Sequence, residues 1–281
     1  MFNRAALPKD ITSYDLLKAF AVLTMLVDHI GFYFFPEDMW WRAIGRLCVP
    51  IWFFLIGYAR SRDIGPRLWI GGTILLVADL IAGKYLIPFN ILFTMLAIRL
   101  MIDPLMRGVT RAGVQVLWAV AVICFFAYLP TAFVLEYGTQ GVLLAIFGWF
   151  MRHRADGGWG RIPEAMVQNY VIFAAVSFVL IQTVSFGFAQ GQMLLLATCA
   201  LPVFGALYMF KPLNFPRLTA LIGPLAGVVR FMGRWTLEIY VGHLVILNIV
   251  GVICFPDRFD LFSPHWTTLD FGASARPAPA P

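Results

Sequence analysis

Apolar runs of about twenty residues recur along most of this chain, and no other feature narrows its fold as far. A run of that length crosses the hydrocarbon core of a bilayer as one α-helix. In lipid the backbone must satisfy its own hydrogen bonds, which leaves only helices and closed barrels. The alternation of a barrel strand is missing. The expected fold class is therefore all-α: a polytopic transmembrane helical bundle of nine or ten spans. Composition agrees, since charged residues make up 13% of the chain, about half the ~25% of soluble domains.

The nine spans read from the sequence are 14–36, 40–58, 67–83, 86–102, 114–132, 134–151, 166–188, 192–210 and 234–255. Residues 219–233, which contain Pro224 and three glycines, read as a short interfacial or re-entrant piece, or as a tenth span. Residues 1–263 form one integral domain, and the Pro/Ala-rich tail 264–281 reads as disordered. No cleavable signal peptide is visible. The four cysteines lie in or beside apolar spans without CxxC spacing, which suits packing rather than disulfides or metal.

Loop charge orients the bundle. Alternate connections carry Arg60, Arg62 and Arg67, then Arg107 and Arg111, then Arg152, Arg154 and Arg161, then Lys211 and Arg217. The intervening ones carry Glu37 and Asp38, Lys84, and Glu136. The positive-inside rule puts the N-terminus in the cytoplasm. The formal charge of +6 is a loop effect of this kind, so nucleic acid is not an expected partner; membrane lipids are.

Against this apolar background, residues 14–60 hold Lys18, Asp28, His29, Arg42 and Arg46. Ionisable groups at membrane depth are expensive and mark functional sites by default. Lys18 and His29, eleven residues apart, return to nearly the same helix face about 16 Å apart along the axis. His29 is the candidate general base. Asp28 points about 100° away from it and pairs instead with Arg42 or Arg46. Those two arginines share a face at i,i+4 and can grip a phosphate or carboxylate or stabilise an oxyanion. The competing reading is a wet helix end with snorkelling arginines. Pro50 removes a donor to the Arg46 carbonyl and permits a kink in mid-span.

A second constellation runs from Gly233 to His243. Tyr240 and His243 share a face as i,i+3 neighbours, either binding substrate or packing helices. Asp79, Asn90, Arg99, Glu136 and Gln182 also lie in or near spans and can line a cavity. Arg60, Arg62 and Arg67 suit the topology signal, or the phosphates of a cytoplasmic nucleotide carrier. Neither a phosphate-binding Gly-rich loop nor a zinc spacing is present, so no metal is expected.

The run Leu17-Lys18 … Asp28-His29-Ile30-Gly31 … Phe35-Pro36, then Arg42-x-Ile44-Gly45-Arg46-Leu47-x-x-Pro50-Ile51-x-Phe53-x-Leu55, resembles the TraX family. The closing Gly233-Arg234-x-Thr236-Leu237-x-Ile239-Tyr240-x-x-His243 fits the same family. The resemblance implies a membrane acetyltransferase of conjugation that uses acetyl-CoA to acetylate the N-terminus of a pilin-like peptide in the bacterial inner membrane. More distantly the chain is similar to the acyltransferase-three superfamily, where a basic residue usually seen as Arg stands at the Lys18 position. On that reading His29, Asp28 and Arg46 are catalytic, and Lys18, Arg42, Arg60, Tyr240 and His243 bind substrate or coenzyme A. The rival readings are a proton-coupled transporter or flippase, whose paired broken helices in two similar halves are not evident, and a pilin-tailoring enzyme of another type such as a cyclase.

Overall fold

In the computed structural model, residues 8–154, 158–263 and 265–267 are described. The first helix starts where capping chemistry meets the first apolar run. The Thr12 side chain accepts from the Asp15 N–H and Asp15 reaches back to the Thr12 N–H, a closed capping box that launches α1 (Ser13–Phe34). After an acidic turn, Asp38 caps α2 (Met39–Gly45). Arg46 and Leu47 then interrupt the helix before α3 (Cys48–Tyr58). Pro50, which has no N–H, falls at the third residue of α3, and the Arg46 carbonyl accepts from Val49 N–H at 3.0 Å instead. The break expected near Pro50 is therefore present, and it turns both arginines inward.

The chain continues through α4 (Pro66–Ile81), a short strand β1 (Tyr85–Ile87), α5 (Ile91–Ala112), α6 (Val114–Phe126), α7 (Tyr128–Ala132) and α8 (Gly138–His153). It ends with α9 (Glu164–Phe186), α10 (Gln190–Tyr208), α11 (Pro216–Ile222), α12 (Leu225–Arg234), α13 (Thr236–Cys254) and β2 (His265–Thr267). β2 lies parallel to β1, with Tyr85 opposite His265 and Ile87 opposite Thr267. The tail beyond residue 267 lies outside the described residues.

Helices α3 and α8 form the centre. Nearly every residue of both is buried, as expected of helices that are apolar on all sides. Two glycines allow their backbones to touch: a Cβ on Gly57 would stand 1.8 Å from the Ala145 carbonyl oxygen, and one on Gly148 2.0 Å from that of Phe54. Small residues at a crossing are how helices in lipid gain close packing. Gly31 and Gly45 serve the α1–α2 contact in the same way, against Trp41 and Asp28.

The described residues hold five helical segments long and apolar enough to cross a bilayer: Ser13–Phe34, Met39–Tyr58 taken across its break, Glu164–Phe186, Gln190–Tyr208 and Thr236–Cys254. The other four expected segments are shorter or more polar. α4 and α8 have 16 residues each and α6 has 13, while α5 carries Arg99, Asp103, Arg107 and Arg111 from its middle to its C-terminal end. Two boundaries differ from expectation. Residues 85–87 form a strand and Asn90 caps the next helix at Ile91, so α5 begins later and runs ten residues further than 86–102. Helix α8 starts at Gly138 because Tyr137 takes a left-handed φ of 64°. Residues 216–234 fold as two short helices broken at Gly223, whose φ is 51°. At 7 and 10 residues neither is long enough to cross a bilayer.

Candidate functional site

The α2–α3 break and the inner face of α1 meet at Asp28. Its side chain is 1% exposed, and its carboxylate holds both guanidinium groups. Arg42 Nη1 donates to Oδ2 at 3.0 Å, Arg46 Nε donates to Oδ1 at 3.0 Å, and Arg46 Nη2 closes a bidentate fork on Oδ2. Arg46 Nη1 donates to the Tyr137 hydroxyl at 2.7 Å. Phe186 of α9 covers both guanidinium carbons, at 4.9 Å for Arg42 and 4.7 Å for Arg46. Two cations against one carboxylate leave the trio with one net positive charge. Arg46 is spent on Asp28 and Tyr137, whereas Nε and Nη2 of Arg42 make no hydrogen bond among the described residues.

His29 turns from the next position of α1 toward α13. Its Nδ1 lies 2.7 Å from Nε2 of His243, whose own Nδ1 lies 2.7 Å from the Ile239 carbonyl oxygen. A carbonyl only accepts, so His243 Nδ1 carries its hydrogen, and the neutral ring then offers Nε2 as an acceptor. His29 Nδ1–H fills it. Assigned from this network, the lone pair of neutral His29 is on Nε2, 3.9 Å from Asp28 Oδ2. The arrangement can thus offer an imidazole nitrogen whose orientation is fixed from behind, with a carboxylate 3.9 Å away that would stabilise the ring if it took up a proton.

These groups face a cavity of about 360 Å³. Thr236, Leu237, Tyr240, Leu244 and Asn248 of α13 line one wall. Twelve residues of helix separate the first from the last, so the cavity extends about 18 Å along that wall. Trp52 and Met95 supply apolar surface, and Asp79, Lys84, Asn90 and Glu136 supply polar groups.

The residues singled out in sequence separate cleanly. Asp28, His29, Arg42, Arg46 and Tyr240 line the cavity, and His243 stands directly behind His29. Lys18 and Arg60 do not line it. Lys18 is half-buried on α1 and makes no hydrogen bond or ion pair among the described residues; Arg60 is exposed. Of the other basic loop residues, Arg62 binds the Ile56 and Gly57 carbonyls at the end of α3 and Asp103 at 2.9 Å, while Arg67 pairs with Glu238. Among the secondary candidates, Asp79, Asn90 and Glu136 face the cavity, Arg99 binds the Asp63 carbonyl, and Gln182 bonds Gln140 in the core. Tyr33, Tyr137 and Asn248 were not foreseen. Tyr33 could have been found, one turn beyond His29 on the same face; Tyr137 has no local signal, being 91 residues from Arg46.

Apolar helices enclosing a charged, hydrogen-bonded cavity mark the class as a helical membrane protein with a candidate site inside its bundle. A family model described as TraX protein matches residues 13–251, and the chain belongs to the TraX family. An uncharacterized protein of Rickettsia prowazekii (strain Madrid E) is 32% identical over 143 residues, covering 50% of this chain and 57% of that protein. The chain thus spans little more than half the length of that curated relative. No solved structure matches it.

Proposed function

We propose that this chain is a membrane-embedded acyltransferase of conjugation that moves an acetyl group from acetyl-CoA to an amine or hydroxyl acceptor, foremost the N-terminus of a pilin-like peptide. Membership of the TraX family supports this direction. The observation that carries the chemistry is the chain of hydrogen bonds from the Ile239 carbonyl through His243 to His29, which leaves Nε2 of His29 unprotonated. A base held in one tautomer by a group behind it is poised to take a proton from an acceptor that attacks the donor.

In this reading the acceptor amine or hydroxyl gives its proton to His29 Nε2 as it attacks the thioester carbonyl carbon. Asp28 stabilises the resulting imidazolium across 3.9 Å. The oxyanion that develops on the thioester oxygen faces the net positive charge of Asp28, Arg42 and Arg46, and the open donors of Arg42 suit it best. Collapse of that intermediate expels the coenzyme A thiolate, which takes up a proton. A cavity about 18 Å long along α13 accommodates an extended pantetheine arm. The coenzyme enters from the cytoplasmic side past Lys18 and Arg60, in the nine-span topology with a cytoplasmic N-terminus in the inner membrane.

The test is free-thiol release from acetyl-CoA by purified protein in detergent, with a pilin-like peptide added. His29→Ala is expected to lose about 10²- to 10⁴-fold in rate, the usual share of a general base. Full activity in that variant would remove His29 from the chemistry. No thiol release from folded protein with any acyl-CoA or acceptor would favour transport through the same cavity.

A further inference from the structure

One turn outward from His29 and His243, the same two helices are joined again. Tyr33 OH donates to Asn248 Oδ1 at 2.7 Å. Asn248 Nδ2 in turn donates to Asp79 Oδ1 at 3.2 Å, and Lys84 Nζ donates to the Tyr33 hydroxyl at 2.5 Å and stands 3.5 Å from Asp79 Oδ1. All four residues line the cavity.

The end of α4 explains why Lys84 folds back over Asp79. Lys84 N–H donates to the Asp79 carbonyl at 2.9 Å and Gly83 N–H to the Leu80 carbonyl at 3.2 Å. This paired closure is a Schellman cap with Gly83, φ 72°, in the left-handed position it requires. A Cβ there would also stand 2.0 Å from the Asp260 carbonyl oxygen, so the turn admits only glycine. The local sequence therefore sets a cation and an anion side by side in the cavity wall. Neither is exhausted: Asp79 Oδ2 accepts no hydrogen bond among the described residues, and Lys84 has donor capacity beyond Tyr33 and Asp79. Tyr33 and Asn248, both 5% exposed, hold the pair from behind.

We propose that Asp79 and Lys84 form a recognition subsite for an α-amino-acyl group, the N-terminal residue of a peptide, with its ammonium on Asp79 Oδ2 and its first carbonyl oxygen on Lys84. A plain anion is repelled by Asp79 and a plain cation by Lys84. An α-amino-acyl group carries a donor charge and an acceptor oxygen about 3 Å apart, so it can meet a carboxylate and an ammonium held as close as these, where Lys84 Nζ stands 3.5 Å from Asp79 Oδ1. Tyr33, which Lys84 touches, lies about 6 Å along α1 from His29, so the pair is joined to α1 one helical turn from the proposed base. This assignment deepens the proposed acyl transfer and rests on that reading for the use of the cavity.

The experiment measures binding with no acyl donor present. Wild-type protein in lipid nanodiscs is titrated with a twelve-residue Ala/Leu/Gly peptide labelled at its C-terminus, with its N-terminus either free or acetylated. The free form is expected to bind about tenfold tighter or better, the worth of one charge-assisted hydrogen bond. Asp79→Asn should bring the two forms together, and Lys84→Gln should weaken the free form about threefold or more while keeping the preference. Equal binding of both forms by wild type overturns the subsite without any variant having to fold. So does an Asp79→Asn protein that keeps the preference. A preference that depends on Asp79 in a protein releasing no thiol would sink the transfer chemistry and leave the subsite standing.

Discussion

Asp28→Asn is the sharpest perturbation the structure offers. The substitution is isosteric, so packing stays constant while one negative charge is removed from between two positive ones. The carboxylate accepts three hydrogen bonds from Arg42 and Arg46, and the exposures of the three side chains are 1%, 10% and 6%. Asparagine keeps one acceptor oxygen and turns an NH₂ donor toward a guanidinium. Removing one partner from a buried ion pair costs about 3–5 kcal/mol, chiefly through the charge left without a counterpart. That is a factor of roughly 10² to 10⁴ in the folded-to-unfolded ratio. Reversible unfolding by sodium dodecyl sulfate in mixed micelles, followed by helical circular dichroism, reads the change directly. The triple variant Asp28→Leu/Arg42→Met/Arg46→Met is the companion. Replacing a whole buried ionic cluster with apolar residues of similar volume is often neutral or stabilising, so it is expected to regain most of the lost stability while transferring no acyl group. An Asp28→Asn protein that unfolds at the wild-type detergent fraction would refute the argument that the arginines depend on this carboxylate.

Three further outcomes follow from close contacts and from the histidine pair. Gly45→Ala places a Cβ 2.2 Å from Asp28 Cβ and 2.5 Å from its Cα, so α1 and α2 must part by about 1 Å; misplacement on that scale lowers turnover ~10²-fold, and unchanged thiol release would contradict it. Gly57→Ala and Gly148→Ala each drive a Cβ into a carbonyl oxygen of the facing central helix. Each is expected to destabilise by about 1–3 kcal/mol or more in the same micelle titration, whereas Gly205→Ala, with nothing within 4 Å, is expected to leave stability nearly unchanged. His243→Ala leaves His29 Nδ1 without its acceptor and the tautomer unset; kcat for thiol release should fall about ten- to a hundredfold with the peptide KM little altered, and a change confined to KM would make His243 a binding residue only.

Much of the site was readable because its signals are local. Asp28, His29, Arg42 and Arg46 stand out as charges in apolar helices, and the break after Arg46 follows from the missing N–H of Pro50. Tyr240 and His243 were visible as one face of the last helix. The division of labour between the arginines was not. Arg46 was expected to face the reacting oxygen, yet its donors go largely to Asp28 and Tyr137, and Tyr137 reaches it only through the left-handed start of α8. Lys18 has the right helical spacing from His29 but does not line the cavity, because a spacing along one helix says nothing about where the opposing wall ends. Residues 219–233 left two readings open, and they fold as two short helices around Gly223, neither of which is long enough to cross a bilayer by itself.

What the sequence determined by itself was the solvent and the class of structure. Twenty-residue apolar runs dictate lipid and helices, because an unsatisfied backbone is intolerable there. It also determined where charge is concentrated, since each intramembrane charge needs a reason to be present. Tertiary structure alone decided the partners: His29 with His243 across 214 residues, Tyr33 with Asn248 across 215, Asn248 with Asp79 across 169. Helical periodicity specifies which side chains share a face, whereas the pairing of faces depends on which backbones can approach closely. Gly31, Gly45, Gly57 and Gly148 permit that approach, and only the packed bundle shows which surface each of them meets.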